Sequence, residues 1–195
     1  MEKKRKNKGF REQFFDAFRY LKESTNYILA VVFIFVSGGI FGAVYSSKLG
    51  FIDEFLKEIV SKIKSMDNMG IILFILQNNL KSSLFGMLFG IIVGIFPVIN
   101  CISNGVVLGY VMKGVWLESG FREFWRILPH GVFELPAVFI SLALGLKLGM
   151  FIFAKEKWKT LIWRARNSMI IFVCIVIPLL IIAAIIEGLL IAAYM

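Results

Sequence analysis

The residues with the clearest chemical potential in this sequence are a histidine and a glutamate four positions apart. His130 and Glu134 occur in the run Leu-Pro-His-Gly-Val-Phe-Glu-Leu-Pro, residues 128–136. This spacing places both side chains on one face of a helix, where they can form a hydrogen bond or an ion pair. The residues around them are apolar. Ionisable side chains in a membrane segment are costly, so a functional role is the default hypothesis for them.

Two interpretations of this pair are open. It could be a buried polar clasp that fixes the register of neighbouring helices, or it could carry protons or bind a ligand. The sequence has no nucleophile elbow and no second carboxylate at a fixed spacing, so we expect no enzyme activity. One His and two Cys also predict neither a metal centre nor a cofactor, and Cys101 and Cys174 are interpreted as packing residues.

Four asparagines extend the polar set. They are Asn78, Asn79, Asn100 and Asn104. The first two belong to a polar interruption at residues 77–83 of an otherwise apolar zone, residues 70–96. Uncovered polar groups at membrane depth are costly, so the interruption must face protein or water, or lie at a bend near the interface. A continuous helix over this zone and a broken helix that starts at residue 80 both fit.

Two further ionisable residues lie in late apolar runs. Lys147 lies about two turns before a basic block, residues 155–168, and could extend its ammonium group to the inner interface. Glu187 lies near the far end of the last run and is interpreted as solvated at the outer interface. A contact between Glu187 and Glu134 is geometrically possible.

The composition indicates that a membrane positions these residues. Hydrophobic residues make up 58% of the 195 residues and charged residues 18%, and the apolar runs are too long for a soluble core. The predicted fold class is all-α: a polytopic integral membrane helical bundle in one transmembrane domain, residues 27–195. A basic cytoplasmic tail, residues 1–26, precedes it. The five predicted spans are residues 27–45, 70–96, 98–116, 129–154 and 169–194.

An amphipathic helix is predicted outside the membrane, at about residues 51–66. Its apolar residues recur at helical spacing while its charged residues face away. Such a helix lies on the membrane surface or covers the bundle. Docking of a partner protein is a second use for it.

The distribution of charge predicts the orientation in the cell membrane. Residues 1–22 carry eight Lys or Arg against three acidic residues, and residues 155–168 carry five against one. Basic blocks remain in the cytoplasm, which places the N-terminus inside and the C-terminus outside. The net charge of +9 favours anionic membrane lipid as a partner. Nucleic acid is not an expected partner, because no groove-reading elements separate the basic residues.

Small residues recur in three of the predicted spans, and we interpret them as helix-packing faces. They are Ser82, Gly86, Gly90 and Gly94; Gly105 and Gly109; and Gly145 and Gly149. Small residues let two helix backbones approach closely in a membrane. The first set could also act between chains, so a homo-oligomer is reasonable. Pro97 should end or kink the second span.

Taken in order, these residues resemble the stage II sporulation protein M family of small multi-span membrane proteins. The resemblance is carried by Asn78-Asn79, the glycines at 86, 90 and 94, Asn104-Gly105 with Gly109, Leu128-Pro129-His130-Gly131 with Glu134 and Ala137, and Gly145 with Gly149. It covers most of residues 27–195 and implies five spans. In spore formers, the founding member is a membrane anchor for two peptidoglycan-degrading partners and is not itself a hydrolase. The resemblance does not establish a role for the shared polar residues.

The leading interpretation is a non-enzymatic membrane scaffold that recruits or positions other membrane or envelope proteins. The alternative is a transporter, a channel-like protein or a lipid-handling protein, in which the interrupted second span and the His130–Glu134 pair line a polar cavity. A third option, an intramembrane enzyme acting on lipid, would need a nucleophile or a metal set that the sequence does not offer.

Overall fold

A computed structural model describes the backbone of residues 10–120 and 124–194, and the side chains of residues 11–120 and 131–191. All regular structure within these residues is helical, which confirms the predicted all-α fold class. The α-helices are α1 (Phe10–Lys22), α2 (Thr25–Val44), α3 (Phe51–Lys64), α4 (Asn68–Leu88), α5 (Ile95–Ser119), α6 (Phe124–Gly149), α7 (Lys157–Ile171) and α8 (Ile177–Tyr194). A π-helical segment, Phe172–Val176, joins α7 to α8.

Five stretches of the described chain are long and apolar enough to cross a membrane. They are Thr25–Val44, Asn68–Ile91, Ile95–Ser119, Gly131–Phe153 and Lys157–Ile191. This number agrees with the predicted five-span bundle, and the protein is a multi-pass membrane protein. The span in α6 is the central one, because half of it is buried inside the protein, and it contacts α2, α4, α5, α7 and α8.

The second span ends at Ile91, before the predicted end at residue 96. The chain reverses at Val93 and Gly94, which adopt positive φ angles of 53° and 71°. A β-branched residue rarely adopts this conformation, so Val93 is locally strained. Pro97 does not end the second span as expected. It lies in the first turn of α5, where a helix residue needs no backbone donor.

The helix that carries the fourth span begins before the predicted start of that span. α6 starts at Phe124 instead of residue 129, so Pro129 lies inside the helix and not in its first turn. The reason is local, because the run Phe-Trp-Arg-Ile-Leu at 124–128 contains no helix-breaking residue. The connection between α5 and α6 is correspondingly shorter than the sequence indicated.

Much of the predicted N-terminal tail forms the helix α1. Its buried side chains, Ala17 and Tyr20, pack with Ile171 and Phe172 in one core cluster, and α1 contacts α7. The basic block at residues 155–168 is also largely helical, since α7 begins at Lys157. The described part of the first basic block, residues 10–22, therefore meets the second block on one side of the bundle.

Glycines bring the backbones of α2 and α5 into direct contact. A Cβ atom added at Gly38 would lie 2.9 Å from the Ile102 carbonyl oxygen, and one added at Gly109 would overlap the backbone of Gly39. A Cβ atom added at Gly105 would overlap the backbone of Phe35. No larger residue fits these positions without separating the two helices.

A second set of glycine contacts joins the end of the α4 span to α6. Gly90 lies against the backbone of Gly145, and Gly149 lies against the backbones of Gly90 and Gly94. Gly86 packs against the Leu142 side chain. The small-residue ladder of the second span is therefore largely occupied within one chain, where it holds α4 against α6.

Replacement of Gly109 by Ala should destabilise the protein by about 1–3 kcal/mol, because the methyl group would overpack the α2–α5 contact. Gly114→Ala on the same helix is the matched control. A Cβ there meets nothing within 4 Å, so it should be neutral or stabilising by up to about 1 kcal/mol. Thermal unfolding of both variants in detergent measures the difference. Equal stability of the two variants would show that the contact does not hold the helices.

Candidate functional site

Three polar side chains form a hydrogen-bonded cluster between α4 and α5. Asn100 donates from Nδ2 to the Ser82 hydroxyl at 3.0 Å. Asn104 donates from Nδ2 to the Asn100 carbonyl oxygen at 2.8 Å and to Asn100 Oδ1 at 2.9 Å. Both amide hydrogens of Asn104 are therefore used, and only its carbonyl oxygen is left to accept a bond.

The polar interruption of the second span lies within a continuous helix. α4 runs unbroken from Asn68 to Leu88, so a broken helix that starts at residue 80 is not formed. Asn78 donates a long 3.5 Å hydrogen bond to its neighbour Asn79. The side chains of Asn78 and Lys81 are exposed. The structure does not bring Asn78 and Asn79 into the cluster of Asn100 and Asn104.

A cavity of about 420 Å³ lies between α2, α5 and α6. Its polar side chains are Asn104 and Glu134, and the rest of its lining is apolar or glycine, including Phe35, Leu108 and Leu135. A volume of this size is in the range of small-molecule sites. The cavity brings one predicted asparagine together with the predicted glutamate.

Of the predicted pair His130 and Glu134, only Glu134 has a described side chain. His130 belongs to α6 by its backbone, and its side chain lies outside the described residues. Glu134 lies close enough to Glu187 for their carboxylates to interact electrostatically. Neither glutamate belongs to an ion pair between described side chains; those pairs are Lys62–Glu58 and Lys159–Glu156.

A second polar centre lies at the other end of α6, around Lys147. The Lys147 ammonium donates to the Tyr20 carbonyl oxygen at 3.2 Å and to the Ser24 hydroxyl at 3.0 Å. It also lies 3.9 Å from the centre of the Tyr20 ring. The side chain is only 7% exposed. Lys147 is thus anchored to α1 inside the protein and does not extend to the interface as the sequence suggested.

Residues of α7 complete this centre. Arg164 donates to the backbone carbonyl of Lys147, and the Trp163 ring meets the Tyr20 ring edge-on at 5.1 Å between centroids. Burial raises the pKa of Tyr20 to about 12, so its phenol is neutral at physiological pH. Sequence analysis missed Tyr20 and Ser24. The one indication in the sequence was that Lys147, a lysine in a long apolar run, needs a buried polar partner.

The described polar groups can donate and accept hydrogen bonds, but they do not form a cluster of the kind that binds a metal ion. No group of three or more His, Cys, Asp or Glu side chains in the described part of the chain could hold a metal ion. Cys101 is buried and its thiol contacts the Val31 carbonyl oxygen at 3.2 Å, whereas Cys174 is exposed on the π-helical segment.

Comparison with known proteins gives one match. A family model described as Stage II sporulation protein M matches residues 31–190, which is most of the chain. The matched residues begin in α2 and end in α8, and they contain the Asn100–Asn104 cluster, the cavity and Lys147. No curated protein and no solved structure matches the chain.

Replacement of Lys147 by Met should keep the packing of the stem and remove the bonds to Tyr20 and Ser24. Loss of hydrogen bonds to a charged group costs about 1.5–3 kcal/mol, and α1 should become more accessible to trypsin at Arg19 and Lys22. Lys159→Met removes an exposed ion-pair partner and should change stability by less than about 1 kcal/mol. Thermal unfolding and the rate of trypsin cleavage test both variants. Equal cleavage rates would refute the anchoring role of Lys147.

Proposed function

Because this chain belongs to the stage II sporulation protein M family, we propose that it is a non-enzymatic membrane scaffold that recruits or positions partner proteins. The feature that supports this proposal best is α3, an amphipathic helix displayed beside the spanning helices. A scaffold needs a stiff frame and a surface that the frame does not use. The glycine contacts of α2 with α5 and of α4 with α6 provide the frame.

The α3 helix is held against the bundle by one stripe of apolar residues. Ile52 is buried, and Ile63 packs against a core cluster that contains Ile71 and Ala184. Asp53 of α3 lies close enough to Tyr110 of α5 for their side chains to interact. These contacts hold one face of α3 beside the spanning helices and leave its other faces exposed.

The exposed faces of α3 combine aromatic and charged side chains. Phe51 is 67% exposed and Phe55 is 54% exposed. Lys62 donates to Glu58 at 2.7 Å, and this bond lowers the pKa of the Glu58 carboxyl. The Glu58 carboxyl is therefore ionised at neutral pH, and the exposed face offers polar contacts to a protein as well as apolar contacts to lipid.

We infer the orientation from charge. The basic helices α1 and α7 meet on one side of the bundle, and α3, with as many basic as acidic residues in segment 46–68, lies at the other ends of the spans. The positive-inside rule places the α1 side in the cytoplasm. The α3 helix then faces the envelope side, where a scaffold for envelope proteins would meet its partners.

A photo-crosslinking residue at Lys57 of α3 should give a discrete adduct with another protein in the cells that make this chain. The same residue at Phe33, which is exposed on α2, is the matched control and should react with lipid. Immunoblotting for this chain reads out both. Protein adducts at neither position, or equal protein adducts at both, would contradict a docking role for α3.

The cavity between α2, α5 and α6 favours a second candidate function, the handling of a lipid or a small solute. The unbroken α4 removes the broken helix on which this alternative partly depended. What supports it is an apolar cavity with Glu134 and Asn104 in its wall. A carboxylate in an apolar wall is costly unless it binds a cation, a donor or a proton.

Proteoliposomes with an internal pH-sensitive dye separate the two functions. A scaffold predicts no proton flux above protein-free vesicles, and the same result for Glu134→Gln. A proton-coupled carrier predicts flux that falls at least tenfold in Glu134→Gln and in Gly131→Leu, which would fill the cavity, since a Cβ at Gly131 meets only Leu135 at 3.9 Å. Gly114→Leu, in open space on α5, is the control. Flux that depends on Glu134 would overturn the scaffold proposal.

A further inference from the structure

The exposed polar residues of α4 lie at the centre of the membrane. Ser141 of α6 donates to the Ser83 carbonyl oxygen at 2.7 Å, and Ser141 is near the middle of the span Gly131–Phe153. Gln77, Asn78 and Lys81, which we call the α4 strip, lie within two turns of Ser83, and all three side chains are exposed.

The packing of α4 against α8 places the α4 strip at the same depth in the membrane. Ile71 and Ile75 of α4 pack with Ala184, whereas Met87 packs in a cluster with Ile171 and Phe172. The two helices are therefore antiparallel, and the α4 strip lies beside the middle of the α8 span. The strip is not at a membrane interface.

Lys81 cannot reach water from this position. It is ten residues before Ile91, the near end of its span, which is about 15 Å at the α-helical rise of 1.5 Å per residue. A lysine stem is shorter than this, so the ammonium group remains in the hydrocarbon region unless another molecule covers it. Charged side chains at this depth almost always face protein or a water-filled cavity.

A groove beside the strip continues onto α5. A cavity of about 270 Å³ is lined by Phe85 of α4, Phe89 directly after α4, Phe96 and Ile99 of α5, and by Asn100, Ser103 and Asn104. Ser103 and Asn104 are exposed. The α4–α5 face thus combines aromatic walls, amide and hydroxyl groups, and the Lys81 charge, and none of the described residues covers it.

We propose that a transmembrane helix of a partner protein, with a carboxylate near its centre, packs on the α4–α5 face and pairs with Lys81. The inference rests on the proposed scaffold function and specifies the chemistry of one partner. The carboxylate neutralises the ammonium, and Asn78 offers a further amide group for the partner helix. Interhelical hydrogen bonds of this kind stabilise helix association in membranes.

A second copy of this chain does not supply that carboxylate. The acidic side chains of the described spans are Glu118, Glu134 and Glu187, and each lies near the end of its span on the α3 side. A copy inserted in the same orientation holds them closer to the α3 side of the membrane than Lys81. A two-fold pairing through α4 would also bring the two Lys81 charges together.

Synthetic transmembrane peptides in phosphatidylcholine vesicles test the proposal with the purified full-length protein. Each peptide is a leucine–alanine helix with Asp, Asn or Leu at its centre, and a fourth peptide carries Asp two turns from the centre. Energy transfer between labelled peptide and labelled protein measures binding. The central-Asp peptide should bind at least tenfold tighter than the central-Leu peptide and the displaced-Asp peptide.

Variants of Lys81 identify the site. Lys81→Leu should abolish the preference for Asp, and Lys81→Glu should transfer it to a peptide with a central Lys. Lys159→Leu, which removes an exposed lysine of α7, should leave the preference unchanged. Because Lys81 is exposed, neither substitution disturbs the core, and unfolding temperatures verify this.

Equal binding of the Asp and Leu peptides would overturn the proposal, as would a preference for Asp that survives Lys81→Leu. Self-association of this chain that is lost in Lys81→Leu would assign the face to a second copy and also overturn it. Crosslinks at Lys57 of α3 are read out independently. Failure of the peptide test with intact α3 crosslinks would refute this partner site and leave the scaffold function standing.

Discussion

Direct contact between helix backbones at glycine is the constraint on which the rest of this bundle depends. Lipid tails are as apolar as leucine, so apolar side chains alone give helices in a membrane little reason to associate, and close packing must do so. Gly105 and Gly109 draw α5 onto α2, whereas Gly145 and Gly149 draw α6 onto α4. These two seams position Asn100 and Asn104 on α5 and Glu134 on α6.

The same seams also determine where gaps remain between the helices. Since α5 is bound to α2 and α6 is bound to α4, the outer parts of α5 and α6 are left apart, and the cavity with Asn104 and Glu134 lies between them. The tight reversal at Val93 and Gly94 likewise lets α4 and α5 diverge from their junction, which leaves the groove lined by Phe85 and Phe96. Both the cavity and the groove are therefore consequences of helix packing in other parts of the bundle.

The sequence predicted what depends on local composition. Long apolar runs identified five spans, and the polar run with the glycine spacing identified the family, because both signals are local in the chain. The reversal expected at Pro97 lies instead at Val93 and Gly94, where Gly94 packs against Leu146. Helix α1 was not predicted, because its apolar face is buried only by packing against α7. The partners of Lys147 were missed for a related reason, since Tyr20 is 127 positions away in the chain.

The α4 strip has a consequence for how the protein is made. α4 is the least apolar of the five spans, and its packing partners α6 and α8 follow it in the chain. During synthesis it leaves the ribosome with a lysine, two serines and four amides and with neither of those helices present. Its packing contacts therefore form only after α6 and α8 have been made, and a partner that reaches Lys81 earlier would cover its charge in the interval.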